Sequence, residues 1–365
     1  MSRKITWWKP EVGESEQLRV AQVLAGNYIN DGDVTEAFER EIARLTGARY
    51  GVGVTSGTAA IYLSLVALGI DHGDEVIVPD VTFIATANAV SMAGATPVLV
   101  DVDPFTLNMS IPAMEAAISA KTKAVVPVHV SGRGAAMAEI LRVCGAKEIP
   151  VVEDAAEALC SRHEGRWLGT FGKTGCFSFS PNKTITTGQG GVIVTDDEQI
   201  YHRLRELKDQ GRPVRGTGGD DIHPALGFNF KLTNLQAAVG LGQIEKLNKR
   251  LDRIRRTYSI YRNELDGITG LRLLPFDIAN GEQPQWADAL ADRRNELDSF
   301  LTEHGVGCRR FWFPLHTHKP YFLEDAAFPN STSLCKKAIW LPSAFQMTDD
   351  DALFVSRLIR EFYGL

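Results

Sequence analysis

Along this chain the spacing of apolar positions changes period several times, and each change marks an element. From Ser15 to Ala25 and from Asp33 to Leu45 apolar residues recur at helical spacing, which predicts two helices, and Tyr50 to Val54 reads as a buried strand. Beyond it, short apolar runs at Glu75 to Val78, Pro97 to Val102, Ala124 to Val128, Val151 to Glu153 and Gly191 to Thr195 alternate with amphipathic stretches. Strands separated by helices are what a mostly parallel sheet requires, so the pattern predicts an α/β fold. The glycine-rich stretch Gly211 to Asp221 reads as a mobile loop or lid. A long helix is expected from Asn234 to about Leu265, then loop and strand over Asp266 to Asn280, and an amphipathic helix over Asp349 to Tyr363. The expected division is a large domain over residues 1–250, including the N-terminal helices, and a smaller C-terminal α/β domain over 251–365. No internal repeat or low-complexity tract interrupts it.

Three segments carry candidate chemistry. Lys183 lies between the strand-like run Cys176-Phe177-Ser178-Phe179-Ser180 and the glycine-rich turn Thr187-Gly188-Gln189-Gly190-Gly191. A lysine that forms a Schiff base needs a sheltered, well-placed amine, and rigid backbone on both sides supplies the placement. Upstream, Val151-Val152-Glu153-Asp154 ends a buried strand and is followed by the helix-opening run Ala155-Ala156-Glu157-Ala158. A carboxylate there faces the ligand crevice of an open α/β sheet, where Asp154 would pair with a pyridine nitrogen; it would serve equally well as a helix N-cap. Further upstream, Val54-Thr55-Ser56-Gly57-Thr58-Ala59-Ala60 joins a strand to an apolar helix. Unpaired amides at that helix start, with nearby hydroxyls, suit a phosphate. Phosphate turn, strand-end Asp and Lys, in this order, are the parts that one pyridoxal phosphate cofactor needs.

Six segments together resemble the DegT/StrS sugar-nucleotide aminotransferases. They are Ser56 to Ala60, Gly73 to Pro79, Thr82 to Ala89, Glu153 to Ala158, Ser178 to Gly191 and Gly227 to Ala238. The resemblance implies an aspartate aminotransferase-like fold, a homodimer, pyridoxal 5′-phosphate with its pyridoxamine form as intermediate, and amino transfer from glutamate to a nucleotide-linked keto sugar. It further implies a cytoplasmic place in amino-sugar biosynthesis of the kind that supplies lipopolysaccharide O-antigen. By position, Lys183 matches the Schiff-base lysine and proton shuttle, and Asp154 the partner of the pyridine nitrogen. Ser56, Gly57, Thr58 and Ser178 match donors to the cofactor phosphate, and Phe83 an aromatic ring on the cofactor face. Glu157 occupies a position often filled by Gln that touches the phenolic oxygen, and Glu there is similar to the perosamine-type subgroup. Asn229 matches a residue that reaches the partner subunit's cofactor phosphate. His316 aligns with a segment near the sugar, and Arg309 and Arg310 beside it are candidates for the anionic substrate.

Two departures stand out. Where many relatives read His-x-Tyr-Gly followed by Asp-Met, this chain has His129-Val130-Ser131-Gly132-Arg133-Gly134-Ala135-Ala136-Met137, without the Tyr and the Asp. The segment Gln283-Pro284-Gln285-Trp286-Ala287-Asp288-Ala289-Leu290 also stands in for a longer connection and strand, in a region often used for nucleotide recognition.

Composition narrows the class. With 365 residues and 44% hydrophobic content the chain can fill two cores, and a net charge of -6 argues against nucleic acid as a partner. Cysteines 144, 160, 176, 308 and 335 show no metal spacing and fit reduced thiols. A His316/His318 metal pair lacks a third ligand in sequence, so no metal is expected. Met1 to Pro10 has no apolar stretch of signal-peptide length, and no run approaches a membrane span. Competing readings are a pyridoxamine-dependent sugar dehydratase, which replaces the lysine by His, a 3-keto-sugar aminotransferase, another lysine-dependent enzyme of the fold such as a desulfurase, and a non-catalytic binding subunit. Lys183 counts against the first. Lys183, Asp154 and Ser178 together count against the last.

Overall fold

The computed structural model describes residues 3–213 and 222–365. Its strands are β1 (Tyr50–Val54), β2 (Glu75–Pro79), β3 (Thr96–Val100), β4 (Thr122–Val125), β5 (Val152–Asp154), the short hairpin β6 (Arg162–His163) and β7 (Arg166–Trp167), β8 (Thr174–Ser178), β9 (Gly191–Thr195), β10 (Leu271–Leu273), β11 (Ala287–Ala291), β12 (Arg309–Arg310) and β13 (Ala338–Leu341). A parallel sheet in the order β3-β2-β4 meets a second sheet in the order β1-β9-β8-β5. Parallel bridges from Val125 to Val151 and from Val128 to Asp154 join the two across β4 and β5. Within this mixed sheet only β9 runs against its neighbours β1 and β8. The cause is local. Parallel neighbours need a crossover, whereas the chain between β8 and β9 turns straight back without a helix. Lys183 sits on that return.

Strand interiors such as Val76, Ile77 and Val78 are fully buried, as strands covered on both faces must be. The helix Gly57–Ala67, apolar almost throughout, lies on the sheet with Ala60, Leu63 and Leu65 fully buried in one core. The C-terminal sheet, β10-β11-β13-β12, is antiparallel and packs its own core around Tyr258, Tyr261, Leu297 and Val355.

Two expectations change, and a third falls mostly outside the described residues. The helix expected from Asn234 to Leu265 is broken at Lys246 into Asn234–Glu245 and Leu247–Glu264. Lys246 turns out of helical geometry with its amide bonded to the Gln243 carbonyl, which closes the first helix tightly. The break lets the first helix pack on the N-terminal helices Glu14–Ala25 and Asp33–Thr46 while the second follows the C-terminal helix Asp349–Phe362. Gly240 and Gly242 permit the first contact, because a Cβ would meet Phe38 at 2.5 Å and Glu16 at 2.9 Å. Next, the run after Asp154 forms turns, not a helix. Its Ala155 amide still bonds the Cys176 carbonyl beside β8, and Cys160 has a left-handed backbone with φ 63, so the chain cannot wind there. Finally, most of the loop predicted at Gly211 to Asp221 lies outside the described residues.

One buried ion pair ties the two sheets together. The Arg133 guanidinium, in the turn that follows β4, lies 2.7 Å from Asp288 on β11, and both side chains are almost fully enclosed. Arg133 also covers the Phe276 ring at 4.5 Å. Burial pushes the Asp288 carboxyl up to about 7, against the pull of Arg133. A carboxyl raised in the folded chain holds a proton that the unfolded chain has released, so it subtracts stability as pH rises from the ordinary carboxylate range. Arg133→Met removes the pull and pushes Asp288 higher still. Urea denaturation should show a loss on the order of 3–5 kcal/mol, larger near pH ~8 than near pH ~5 because the mutant penalty continues to grow above neutrality. The same loss at both pH values would mean that Asp288 does not titrate.

Candidate active site

A cavity of about 350 Å³ opens at the C-terminal ends of β5 and β8, beside the start of the Gly57–Ala67 helix. Ser56, Gly57, Thr58, Phe83, Asp154, Glu157, Ser178, Lys183 and Arg309 all line it.

One end of the cavity is a helix N-terminus. Ser56 caps the helix, its hydroxyl accepting from the Ala59 amide at 3.1 Å and its carbonyl from Ala60 at 3.0 Å. That leaves the Gly57 and Thr58 amides, which a helix cannot pair internally. Glycine is required at 57 by close approach: a Cβ would lie 2.9 Å from that of Ser178. The absence of a side chain lets the end of β8 bring the Ser178 hydroxyl beside the free amides. Amides, helix dipole and hydroxyls together suit a dianionic phosphate.

Asp154 forms the opposite end. Strand alternation separates the acidic pair. Glu153 turns away and accepts from the amides of Gly169 and Gly172 at 2.8 and 2.7 Å and from His129 at 2.9 Å. The Ala135 amide donates to His129 Nδ1, so the ring proton sits on Nε2 toward Glu153. Asp154 instead enters the cavity, with the Thr86 hydroxyl donating to Oδ2 at 2.7 Å and the Ala156 amide to Oδ1 at 3.1 Å. Because no helix follows it, Asp154 caps none. Burial pushes its carboxyl up, opposed by those two hydrogen bonds and by the charge of Lys183. A carboxylate in that position calls for a cationic partner.

Between the two ends, Lys183 Nζ donates to Glu157 Oε1 at 3.1 Å, and the Ser131 amide donates to Glu157 Oε2 at 2.9 Å. Ser131 reaches this position through a left-handed backbone, φ 54, a conformation that costs a non-glycine residue about 1–2 kcal/mol. Its neighbour must be glycine, because at Gly132, φ 93, a Cβ would lie 2.1 Å from the Gln283 carbonyl oxygen. The place where the sequence lacks the family tyrosine therefore supplies a backbone donor to Glu157.

The remaining wall is aromatic and was not read from sequence. Trp286, Trp312 and Trp340 line the cavity, and Trp286 lies 5.2 Å from the Lys183 ammonium. Trp7 packs between Trp286 and Trp340 at 5.7 and 5.9 Å, and Arg309 lies over Trp7 and Trp340 at 5.0 and 5.5 Å. Nothing local in sequence distinguishes these indoles from ordinary core residues. Thr86 was legible in principle, lying four residues after Thr82 on the face whose hydroxyls bond each other at 2.9 Å.

Three predicted residues lie elsewhere in this chain. His316 is fully buried outside the cavity, its Nδ1 2.6 Å from Asp80, its Nε2 3.1 Å from Asp325 and its ring stacked on Phe328. Arg310 is exposed and paired with Asp298 at 2.8 Å. Asn229 is exposed, in an antiparallel bridge with Asp209, and does not line the cavity.

An anion cradle, a sheltered amine and a buried carboxylate across one cavity fit a pyridine ring that bears a phosphate and an aldehyde. The family model of the DegT/DnrJ/EryC1/StrS aminotransferases matches residues 10–360. The chain belongs to that family. As a member it is a pyridoxal-phosphate-dependent aminotransferase. It is 34% identical over 362 residues to the GDP-perosamine synthase of Escherichia coli O157:H7, covering 98% of each chain. Among solved structures, DesI in the presence of its TDP-sugar product superposes with a TM-score of 0.91 at 29% identity, over 100% of this chain and 94% of that one. Spr1654 of Streptococcus pneumoniae in its PLP form superposes with a TM-score of 0.94 at 25% identity over 99% of both chains, and it has also been solved in a PMP form.

Asp154→Asn keeps the shape of the carboxylate and removes its charge, so amino transfer should slow by at least ~100-fold with cofactor binding less affected. Turnover near that of the parent would reduce Asp154 to a structural residue. Thr86→Val withdraws a hydrogen bond that favours the ionised carboxylate. The acidic limb of the kcat/KM profile should therefore move to higher pH, and an unmoved limb would separate Thr86 from the catalytic ionisation.

Proposed function

We propose that this enzyme moves an amino group from glutamate to a nucleotide-linked 4-keto-6-deoxyhexose, with Lys183 as the reacting amine. The observation that carries the reading is the single cavity in which Lys183, the buried Asp154 carboxylate and the open Gly57 and Thr58 amides converge. Bound there, the cofactor supplies an electron sink for the carbanion formed beside the transferred nitrogen. Asp154 keeps that sink protonated by placing fixed negative charge at the ring nitrogen. Lys183, once freed, takes a proton from the donor's α-carbon and returns it to the acceptor's carbon in the second half-reaction. Glu157 holds the Lys183 amine in the cavity, and Phe83, still more than half exposed at the mouth, offers a flat face to the ring. Arg309 makes no ion pair among the described residues, which leaves its guanidinium to meet a diphosphate. The preference for a 4-keto sugar rests on the likeness to GDP-perosamine synthase and on Glu157.

The reading divides the chain into a cofactor-binding unit over 1–250 and a smaller unit over 251–365 that contributes Arg309. It also takes the enzyme as a homodimer with shared sites. Asn229 is exposed and does not line its own chain's cavity, which supports assigning it to the phosphate of the partner.

Two experiments test this. Purified protein with glutamate, offered a panel of nucleotide keto sugars, should release a product carrying the amine at C4; amination only at C3 would overturn the substrate assignment. Mixing inactive Lys183→Ala with impaired Asn229→Ala chains under subunit exchange should restore activity, because one site of each hybrid dimer then carries neither lesion. Hybrid dimers without activity would confine Asn229 to its own subunit.

A further inference from the structure

Lys183 is carried by an irregular turn. Its own amide bonds the Ser180 carbonyl at 3.1 Å, the Ser180 hydroxyl donates to Asn182 at 2.9 Å and Arg250 donates to the Thr184 carbonyl at 3.2 Å, but no ladder of strand hydrogen bonds fixes the residues beside the lysine. A lysine stem has four rotatable carbons, so an amine that must meet one carbon atom needs its backbone held by something else.

We propose that Gln285 is the positioning residue that holds the Lys183 turn in register with Glu157. Its side chain is buried, 2% exposed, and grips both neighbours of the lysine. Oε1 accepts from the Thr184 hydroxyl at 2.6 Å and from the Thr184 amide at 3.2 Å, while Nε2 donates to the Asn182 carbonyl at 3.4 Å. The Gln285 amide donates to the Ser131 carbonyl at 2.8 Å. Ser131 in turn donates to Glu157, and Glu157 accepts from Lys183. The hydrogen bonds thus close a ring: Lys183, Glu157, Ser131, Gln285, the Lys183 turn. Trp286, the next residue, places its ring beside the Lys183 ammonium.

The ring gives a task to the segment that precedes β11: Gln285 meets Ser131 through its backbone amide and the Lys183 turn through its side chain. Gln285 immediately precedes Trp286 and β11, so the C-terminal sheet sets where the lysine stands.

The proposal rests on Lys183 being the reacting amine, and its test separates the two claims. Gln285→Met keeps volume and removes all three side-chain bonds. Its kcat should fall roughly 10–100-fold with the KM for glutamate nearly unchanged. Thr184→Val removes one bond and should show a smaller loss, and the double variant should be no worse than Gln285→Met, since both act through one contact.

A second readout needs no turnover. In the cofactor-free full chain, dinitrophenylation of Lys183 by fluorodinitrobenzene is measured by peptide mass against exposed Lys336. Release of the turn should raise that ratio by about tenfold in Gln285→Met and by less in Thr184→Val. Should Gln285→Met fail to fold, Thr184→Val alone decides by the same ratio. An unchanged ratio, or additive losses in the double variant, overturns the role of Gln285. If Lys183→Ala retains turnover, the assignment of the amine falls first.

Discussion

Two buried carboxylates and one ammonium converge on one cavity, and that imbalance of charge organises the rest of the site. Burial pushes both Asp154 and Glu157 up, and the Asp154 charge further raises the cost of ionising Glu157. Lys183 offsets one of them at 3.1 Å. The remaining negative charge is what a protonated pyridine ring completes, so the protein is arranged for a cation that it does not itself possess. The fold supplies the supporting donors: the Thr86 hydroxyl and Ala156 amide for Asp154, and a strained Ser131 amide for Glu157. Strain at a left-handed serine persists because the surrounding structure over-determines it.

The mixed sheet follows from the same requirement. A lysine on a parallel strand would be followed by a helical crossover and carried away from the strand ends. The direct return between β8 and β9 instead keeps Lys183 above the C-terminal ends of the strands, facing Asp154 on β5. Gly57 and Gly191 allow the helix start and the start of β9 to come within van der Waals distance of their neighbours, which draws the phosphate cradle to the same rim.

Much of this was legible because it is local. Strand β1 falls on the predicted residues, the N-terminal helices and the C-terminal helix lie within a residue or so of their expected bounds, and the three segments holding Ser56 to Thr58, Asp154 and Lys183 converge as their order suggested. What sequence did not reveal depends on distant contacts. Apolar periodicity runs smoothly through Lys246, because the break there is imposed by packing against two separate layers. The turn after Asp154 reads as a helix because alanines favour one, and the tie from Ala155 to Cys176 overrides that preference. His316 was expected at the sugar, yet it lies in the core between Asp80 and Asp325, since a motif fixes a residue's neighbours in sequence and not the direction of its side chain. The indole wall assembles residues 7, 286, 312 and 340, and no local window holds more than one of its partners.

The central claim is that one particular lysine, set by this charge arrangement, holds the cofactor. Reduction of the yellow holoenzyme with borohydride, followed by peptide mapping, tests it most directly. The cofactor's mass should appear on the peptide containing Lys183 and on no other, with the visible absorbance lost in parallel. Label on a different lysine, such as the buried Lys208, would contradict the account at its foundation.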